Sequence, residues 1–199
     1  MNTFRSLLAA TDFSEDAQNA CRRAALIARE QDAPLELLHV INEPSLALLR
    51  GFFPEAAAAV SAGAEKELEG FRASLAAGNG ISATAVLKIG KVTAEILSAM
   101  TRAGLLVVGA RGHNPLRDLL LGSTAERLLS RCPSPALVVK RPAKASYRRV
   151  LAAVDFSPCS AAVLATAAAI APAAEIQICH AFDLPFEGRL WMAGVADEQ

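Results

Sequence analysis

The chain has 199 residues, 53% of them hydrophobic, and its 20 basic side chains balance 20 acidic ones. This composition excludes a chain that is largely disordered. The neutral charge argues against a nucleic-acid groove and against binding to anionic membranes, because both need clustered lysine and arginine. At roughly 100–200 residues per domain, the length suits one domain, or one domain and a fragment.

The first 13 residues resemble neither a secretory signal nor a transit peptide, so we expect a cytoplasmic protein. The most apolar segment, Ala161 to Ala174, is shorter than the roughly 20 residues of a membrane span and contains Pro172, so no membrane role is expected. The cysteines show no metal-like spacing, and we interpret them as reduced, small core residues. They are Cys21, Cys132, Cys159 and Cys179.

Short apolar runs alternate with stretches of helical periodicity over the first 140 residues. The predicted strands are Arg5 to Thr11, Leu35 to Val40, Ile81 to Ile89, Leu105 to Val108 and Ala136 to Lys140. The predicted helices run from the N-cap Ser14 to about Gln31, from an alanine run to Gly78–Gly80, from about Thr93 to Met100, and from Ser123 to about Arg131. Residues 44–60 have mixed character and receive no assignment. Five strands separated by helical crossovers predict a doubly wound α/β domain with a five-stranded parallel sheet over residues 1–142.

The basic segment from Lys140 to Arg149 contains Pro142 and is typical of an exposed linker. Residues 143–199 are expected to comprise the rest of this linker and a repeat of the start of the chain. Arg148 to Ser157 match Arg5 to Ser14 at an offset of 143 residues, with seven of ten positions identical. A helix and a strand from Glu175 to Ala181 are predicted to follow, which makes a partial second β-α-β unit. Such a unit cannot bury both faces of its sheet. We therefore expect it to dock on the first domain or on a second chain, or to be part of a truncated tandem protein.

A glycine-rich segment follows the fourth predicted strand with the spacing G-x2-G-x9-G-S, formed by Gly109, Gly112, Gly122 and Ser123. Glycine lets main-chain N–H groups approach an anion, and the N-terminus of the following helix favours a phosphate chain. Ligands of doubly wound sheets bind beyond the carboxyl ends of strands, where the winding reverses. If the strand order is 3-2-1-4-5, Asp12 faces the glycines across that crevice, which predicts a nucleotide site. Neither the G-x4-GK[ST] nor the G-x-G-x-x-G motif is present.

Several polar side chains near these glycines have two interpretations. Arg111, His113 and Arg117 either neutralise phosphates or are solvated surface groups. His39, and His180 at the equivalent place in the repeat, are expected to pack at strand ends, because neither has a predicted nucleophile beside it. Only His113 and Asp118 are candidate bases in the loop, so any ATPase activity is expected to be slow, and no catalytic residue is assigned.

The segments Ala-Thr-Asp12-Phe-Ser, Leu-His39-Val40 and the glycine motif together resemble the universal stress protein family in its ATP-binding branch. The resemblance covers residues 1–142, and residues 147–199 resemble the first third of a second such domain. It implies strand order 3-2-1-4-5 in a Rossmann-like fold of the adenine nucleotide alpha hydrolase-like type. It also implies ATP, with or without Mg²⁺, as the ligand and a homodimer formed through the strand Ala136 to Lys140. The residues expected to bind the nucleotide are Ala10, Thr11, Asp12, Val40, Val108, Gly109, Arg111, Gly112, Gly122, Ser123 and Thr124.

Three functions remain open on this reasoning. The first is an ATP-binding regulatory or stress-response protein in which the nucleotide stabilises or switches a dimer. The second is a slow ATPase or phosphoryl-transfer enzyme that uses the same loop. The third is an interaction module that binds no nucleotide. The second repeat keeps Asp155 but lacks a glycine loop, so it is not expected to have a complete site of its own.

Overall fold

The computed structural model describes residues 4–112 and 121–182. The chain divides into two units between Ser146 and Tyr147, a few residues beyond the boundary expected at Pro142. The first unit contains a five-stranded parallel sheet in the order β3-β2-β1-β4-β5, which confirms the predicted fold class. Its strands are β1 (Leu7–Thr11), β2 (Leu35–Asn42), β3 (Ala83–Gly90), β4 (Leu105–Gly109) and β5 (Ala136–Val139). Its helices are α1 (Glu15–Gln31), α2 (Glu43–Phe52), α3 (Pro54–Asn79), α4 (Val92–Met100) and α5 (Ser123–Leu129).

The start and the end of α1 follow from local chemistry. The Ser14 hydroxyl accepts a hydrogen bond from the main-chain N–H of Ala17 at 3.3 Å, as expected of an N-cap. The helix ends at Asp32, which takes a left-handed conformation with φ of 48°. Gly80 ends α3 with φ of 63°, where the absence of a β-carbon removes the strain. Both predicted ends of α1 and the predicted C-terminal end of α3 are therefore confirmed.

The unassigned segment of residues 44–60 forms α2 and the first part of α3. Pro44 lies in the first turn of α2 and Pro54 begins α3, so each proline stands where a helix does not need its missing N–H group. Other predicted ends of strands and helices were wrong by one or two residues. A strand ends where its hydrogen bonds to the neighbouring strand end, and hydrophobicity does not show this position. β5 ends at Val139 instead of Lys140. α5 ends at Leu129 instead of Arg131.

The core of the first unit lies on both faces of the central strands. Leu8 and Leu106 are almost fully buried against α4 and α5, together with Met100 and Leu128. Cys21 of α1 is buried on the other face of the sheet, and this burial raises the pKa of its thiol to about 12. No helix in the described parts of the chain is both long and apolar enough to cross a membrane.

The segment that follows β5 makes two polar contacts with α1. The buried Arg23 donates from Nη1 to the carbonyl oxygen of Ala145 at 2.7 Å. The Ser146 hydroxyl donates to the carboxylate of Glu30. The segment is mostly exposed, as expected for a linker, but these contacts fix its course along α1.

The second unit contains β6 (Arg149–Ala153), α6 (Cys159–Ile170) and β7 (Glu175–Cys179), with β6 and β7 paired in parallel. The predicted partial β-α-β unit is therefore present, although β7 ends before Ala181. Leu151 is 66% exposed, whereas Leu8, its counterpart in the first unit, is 1% exposed. The interpretation of all four cysteines as core residues was wrong, because Cys159 at the start of α6 and Cys179 at the end of β7 are both exposed.

Candidate functional site

A cleft of about 360 Å³ lies at the carboxyl ends of β1 and β4. The two strands pair only as far as Ala9 and Val107, so the residues beyond these positions line a crevice rather than a continuous ladder. Its volume lies within the range of about 300–1,000 Å³ that small-molecule pockets occupy. All eleven residues predicted to bind the nucleotide line this cleft: Ala10, Thr11, Asp12, Val40, Val108, Gly109, Arg111, Gly112, Gly122, Ser123 and Thr124. That they bind a nucleotide stays a prediction.

The turn after β1 fixes the carboxylate of Asp12. One carboxylate oxygen accepts hydrogen bonds from the main-chain N–H of Ser14 at 3.1 Å and from the Ser14 hydroxyl. Phe13 has φ of 64°, a left-handed conformation that is uncommon for a bulky residue, and its ring contacts the His39 ring at 4.5 Å between centroids. Nδ1 of His39 lies 2.8 Å from the carbonyl oxygen of Thr11. His39 therefore packs against the end of β1, whereas its own strand continues to Asn42, so the expectation that it lies at the end of its strand was wrong.

The second unit contains the same turn. Phe156 has φ of 59° and contacts His180 at 4.6 Å, while Nδ1 of His180 lies 2.7 Å from the carbonyl oxygen of Val154. Hydrogen bonds from Ser157 and Ser160 hold the pKa of Asp155 at about 2. The hydrogen bonds and the ring contact of this turn are therefore made within the second unit itself.

Two main-chain segments, residues 109–112 and 122–124, form the opposite wall. The Ala110 N–H donates to the carbonyl oxygen of Val139 at 3.0 Å, and the Gly122 N–H donates to the carbonyl oxygen of Ala110 at 2.8 Å. These bonds hold both segments against the end of β5. Gly122 precedes α5, whose first main-chain N–H groups have no partner within the helix. The N–H groups of Ala110 and Gly122 are therefore already bonded, and the wall's main-chain donors without a partner in the helix are those at the start of α5.

The three glycines of the motif have different surroundings. A β-carbon on Gly109 would lie 2.7–2.9 Å from main-chain atoms of Asp16 and Ala17 in α1. A β-carbon on Gly112 would lie 2.5 Å from the carboxylate oxygen Oδ2 of Asp12. At Gly122 the nearest atom would be 3.4 Å away, which is ordinary van der Waals contact. Gly109 is therefore also required for the packing of α1 on β4, a role that the motif did not predict.

Arg111 lies in the cleft wall but also pairs with α1. Its Nε donates to Oδ2 of Asp16 at 3.2 Å, and about a third or less of each side chain is exposed. Arg111 is therefore a paired and partly buried group, and its neutralisation of phosphates stays a prediction. Other predicted loop residues, His113, Arg117 and Asp118, lie outside the described residues.

An apolar wall that the sequence motifs did not identify completes the cleft. It includes Leu38 from β2, Val92 and Ile96 from α4, and Ala125 and Leu128 from α5. Ala17 and Ala110 also line the cleft. The sequence indicated part of this wall, because Ile96 is one of the apolar positions from which the helix from Thr93 to Met100, now α4, was predicted. Sequence periodicity shows that such a side chain is buried, but it does not show that part of its surface faces a cavity.

In the described part of the chain, no group of three or more His, Cys, Asp or Glu side chains is arranged to hold a metal ion. Among the described lining residues, Asp12 and Arg111 are the ionisable ones. This cleft therefore combines one fixed carboxylate, one guanidinium, main-chain donors and an apolar wall.

Comparison with known proteins identifies relatives of this chain. A family model described as the universal stress protein family matches residues 3–140. The universal stress protein YxiE of Bacillus subtilis is 31% identical over 148 residues, which cover 69% of this chain and 99% of that protein. A universal stress protein of Mycolicibacterium smegmatis is 29% identical over 188 residues, 89% of this chain. This chain spans 58% of the length of that relative, and 38% of another M. smegmatis universal stress protein that is 56% identical over 50 residues.

Solved structures show the same fold. A universal stress protein from Archaeoglobus fulgidus superposes with a TM-score of 0.73 at 21% identity, covering 96% of this chain and 72% of that one. A second structure from A. fulgidus, a universal stress protein in complex with dAMP, has a TM-score of 0.51 at 17% identity and covers 70% of this chain and all of that one. Members of the family thus include a protein solved with an adenine nucleotide. On the match over residues 3–140 and on the relative in B. subtilis, this chain belongs to the universal stress protein family.

Proposed function

We propose that this protein binds ATP in the cleft between β1 and β4 and acts as a nucleotide-dependent regulatory protein. One observation carries the proposal: a fixed carboxylate, a guanidinium and the main-chain N–H groups at the start of α5 line one cavity of ligand size. A carboxylate accepts hydrogen bonds from ribose hydroxyls or from an adenine amine, and main-chain N–H groups bind phosphate oxygens.

The apolar wall supports an adenine ligand over a simple anion. Leu38, Val92 and Ile96 provide a surface on which a purine can be buried, and the main chain of Val40 supplies hydrogen-bonding groups at its edge. An inorganic phosphate would make no use of this surface. The complex of a family member with dAMP supports the same ligand class for this chain.

A homodimer formed along β5 is the second part of the proposal. β5 is an edge strand of the five-stranded sheet, and three of its four residues are only partly buried. Such an edge presents unpaired main-chain groups that a second copy can pair with. Sedimentation measured over a range of protein concentrations, with and without ATP, tests this part. A monomer under all conditions would contradict it.

Thermal denaturation with ATP, with AMP and without nucleotide tests the ligand. A ligand at about 100 times its dissociation constant stabilises the protein by roughly 2.7 kcal/mol. Gly122→Val is the informative variant, because its added atoms enter the cleft wall where a single β-carbon has room. Gly112→Val is less informative, since a β-carbon there would displace Asp12 as well.

Gly70→Val is the matched control, because a β-carbon on Gly70 of α3 meets no atom within 4 Å. We expect ATP to stabilise the wild type and the control, and to stabilise Gly122→Val much less. Equal stabilisation of all three proteins would refute the assigned site, and the absence of any ligand effect would refute nucleotide binding. Steady phosphate release over many turnovers would identify an ATP-hydrolysing enzyme instead.

A further inference from the structure

The ion pair between Arg111 and Asp16 connects the proposed phosphate wall to α1. The two residues are 95 positions apart in the chain, so the pair exists only because β4 ends beside the first turn of α1. Arg111 lines the cleft, whereas Asp16 does not. The guanidinium therefore has a carboxylate partner at the edge of the cleft before any ligand enters.

We propose that Asp16 sets the preference of the cleft for the number of phosphates on its ligand. This inference rests on the proposed nucleotide binding. A phosphate chain that reaches Arg111 competes with Asp16 for the same planar donors, which suit carboxylate and phosphate equally well. Whether or not Arg111 changes partner, the negative charge of Asp16 stays near the ligand.

Packing keeps Asp16 where it is. The main chain of Asp16 lies so close to Gly109 that a β-carbon on Gly109 would be 2.7 Å from its carbonyl carbon. The start of α1 therefore has no room to move towards β4, and the Asp16 side chain is only 21% exposed. A charge held in this way repels a ligand in proportion to the negative charge of that ligand. A triphosphate is consequently penalised more than a monophosphate.

The test compares the dissociation constants of AMP and ATP, measured by calorimetry at two salt concentrations. Asp16→Asn removes the charge and keeps the shape of the side chain. Glu15→Gln is the matched control, because it removes one negative charge from an exposed position in the same helical turn. We expect the ratio of the AMP constant to the ATP constant to rise at least threefold in Asp16→Asn, to stay near the wild-type value in Glu15→Gln, and to change less at high salt.

A further pair of proteins, Arg111→Gln with and without Asp16→Asn, tests whether the charge of Asp16 acts on the ligand directly. Because this repulsion does not need the arginine, we expect Asp16→Asn to raise the ratio at least threefold in the Arg111→Gln background as well. An unchanged ratio in Asp16→Asn, an equal rise in Glu15→Gln, or no rise in the Arg111→Gln background would each overturn this inference while leaving nucleotide binding intact. If the wild type binds neither nucleotide, the proposed function fails, and this inference fails with it.

Discussion

Replacement of Gly109 by alanine is predicted to destabilise the fold, although Gly109 lies in a segment proposed to bind phosphate. The new β-carbon would lie 2.7, 2.8 and 2.9 Å from main-chain atoms of Asp16 and Ala17, where ordinary contacts are 3.4–4 Å. Main-chain atoms of a helix cannot move alone, so α1 must shift as a body away from β4. Overpacking of this kind costs about 1–3 kcal/mol. In a chain of this size, that corresponds to a fall in melting temperature of about 2–4 °C for each kcal/mol.

Urea unfolding of the protein without ligand measures this loss, and Gly122→Ala is its control. Gly122 has φ of −65° and ψ of 148°, which alanine adopts without strain, and a β-carbon there would be 3.4 Å from its nearest neighbour. We expect the free energy of unfolding of Gly122→Ala to stay within about 1 kcal/mol of the wild type. A Gly109→Ala protein as stable as this control would refute the argument from packing.

Three further predictions concern single side chains. Arg23→Met removes the 2.7 Å hydrogen bond to Ala145 and is expected to cost about 1–3 kcal/mol and to speed tryptic cleavage after β5; unchanged cleavage would count against a role for Arg23 in holding this segment. Because the pKa of Cys21 is raised to about 12, its thiol is expected to resist a thiol reagent at pH 8 until the protein unfolds, while the exposed Cys159 reacts at once. Above pH 9 the fold loses stability as the pH rises, because the Cys21 thiol ionises in the unfolded chain but not in the folded one. The carboxyl group of Asp155 is expected to titrate near pH 2 in a carbon NMR experiment, so its contribution to stability is present above about pH 4 and is lost as the pH falls towards 2; a midpoint near 4 would show that its hydrogen bonds do not persist in solution.

The order of the sheet could be predicted because each strand carries a local signal and the motifs resemble a family with a known order. Wholly apolar runs such as Leu105 to Val108 can only be buried strands in a sheet covered on both faces. The helices α2 and α3 were missed over residues 44–60 because prolines that begin helices were taken as interruptions. The exposed thiols of the second unit were misjudged because sequence hydrophobicity does not show how many strands surround a residue.

The site could be predicted as a set of positions but not as a set of contacts. Asp12 and the glycines were identified from spacing, and they line one cleft. The collision that a side chain on Gly109 would make with α1, and the pairing of Arg111 with Asp16, both join residues about 95 positions apart. No local pattern encodes such distances. Only the topology, which brings the end of β4 to the start of α1, creates them.

The repeated turn after β1 and β6 has a consequence for the kinetics of ligand capture. The turns that hold Asp12 and Asp155 share the same local contacts, so the carboxylate of Asp12 is ordered by its own neighbours. A group that is already ordered loses little conformational entropy when a ligand arrives. For the proposed nucleotide, we expect association on this side of the cleft to be limited by diffusion and desolvation rather than by rearrangement of the chain.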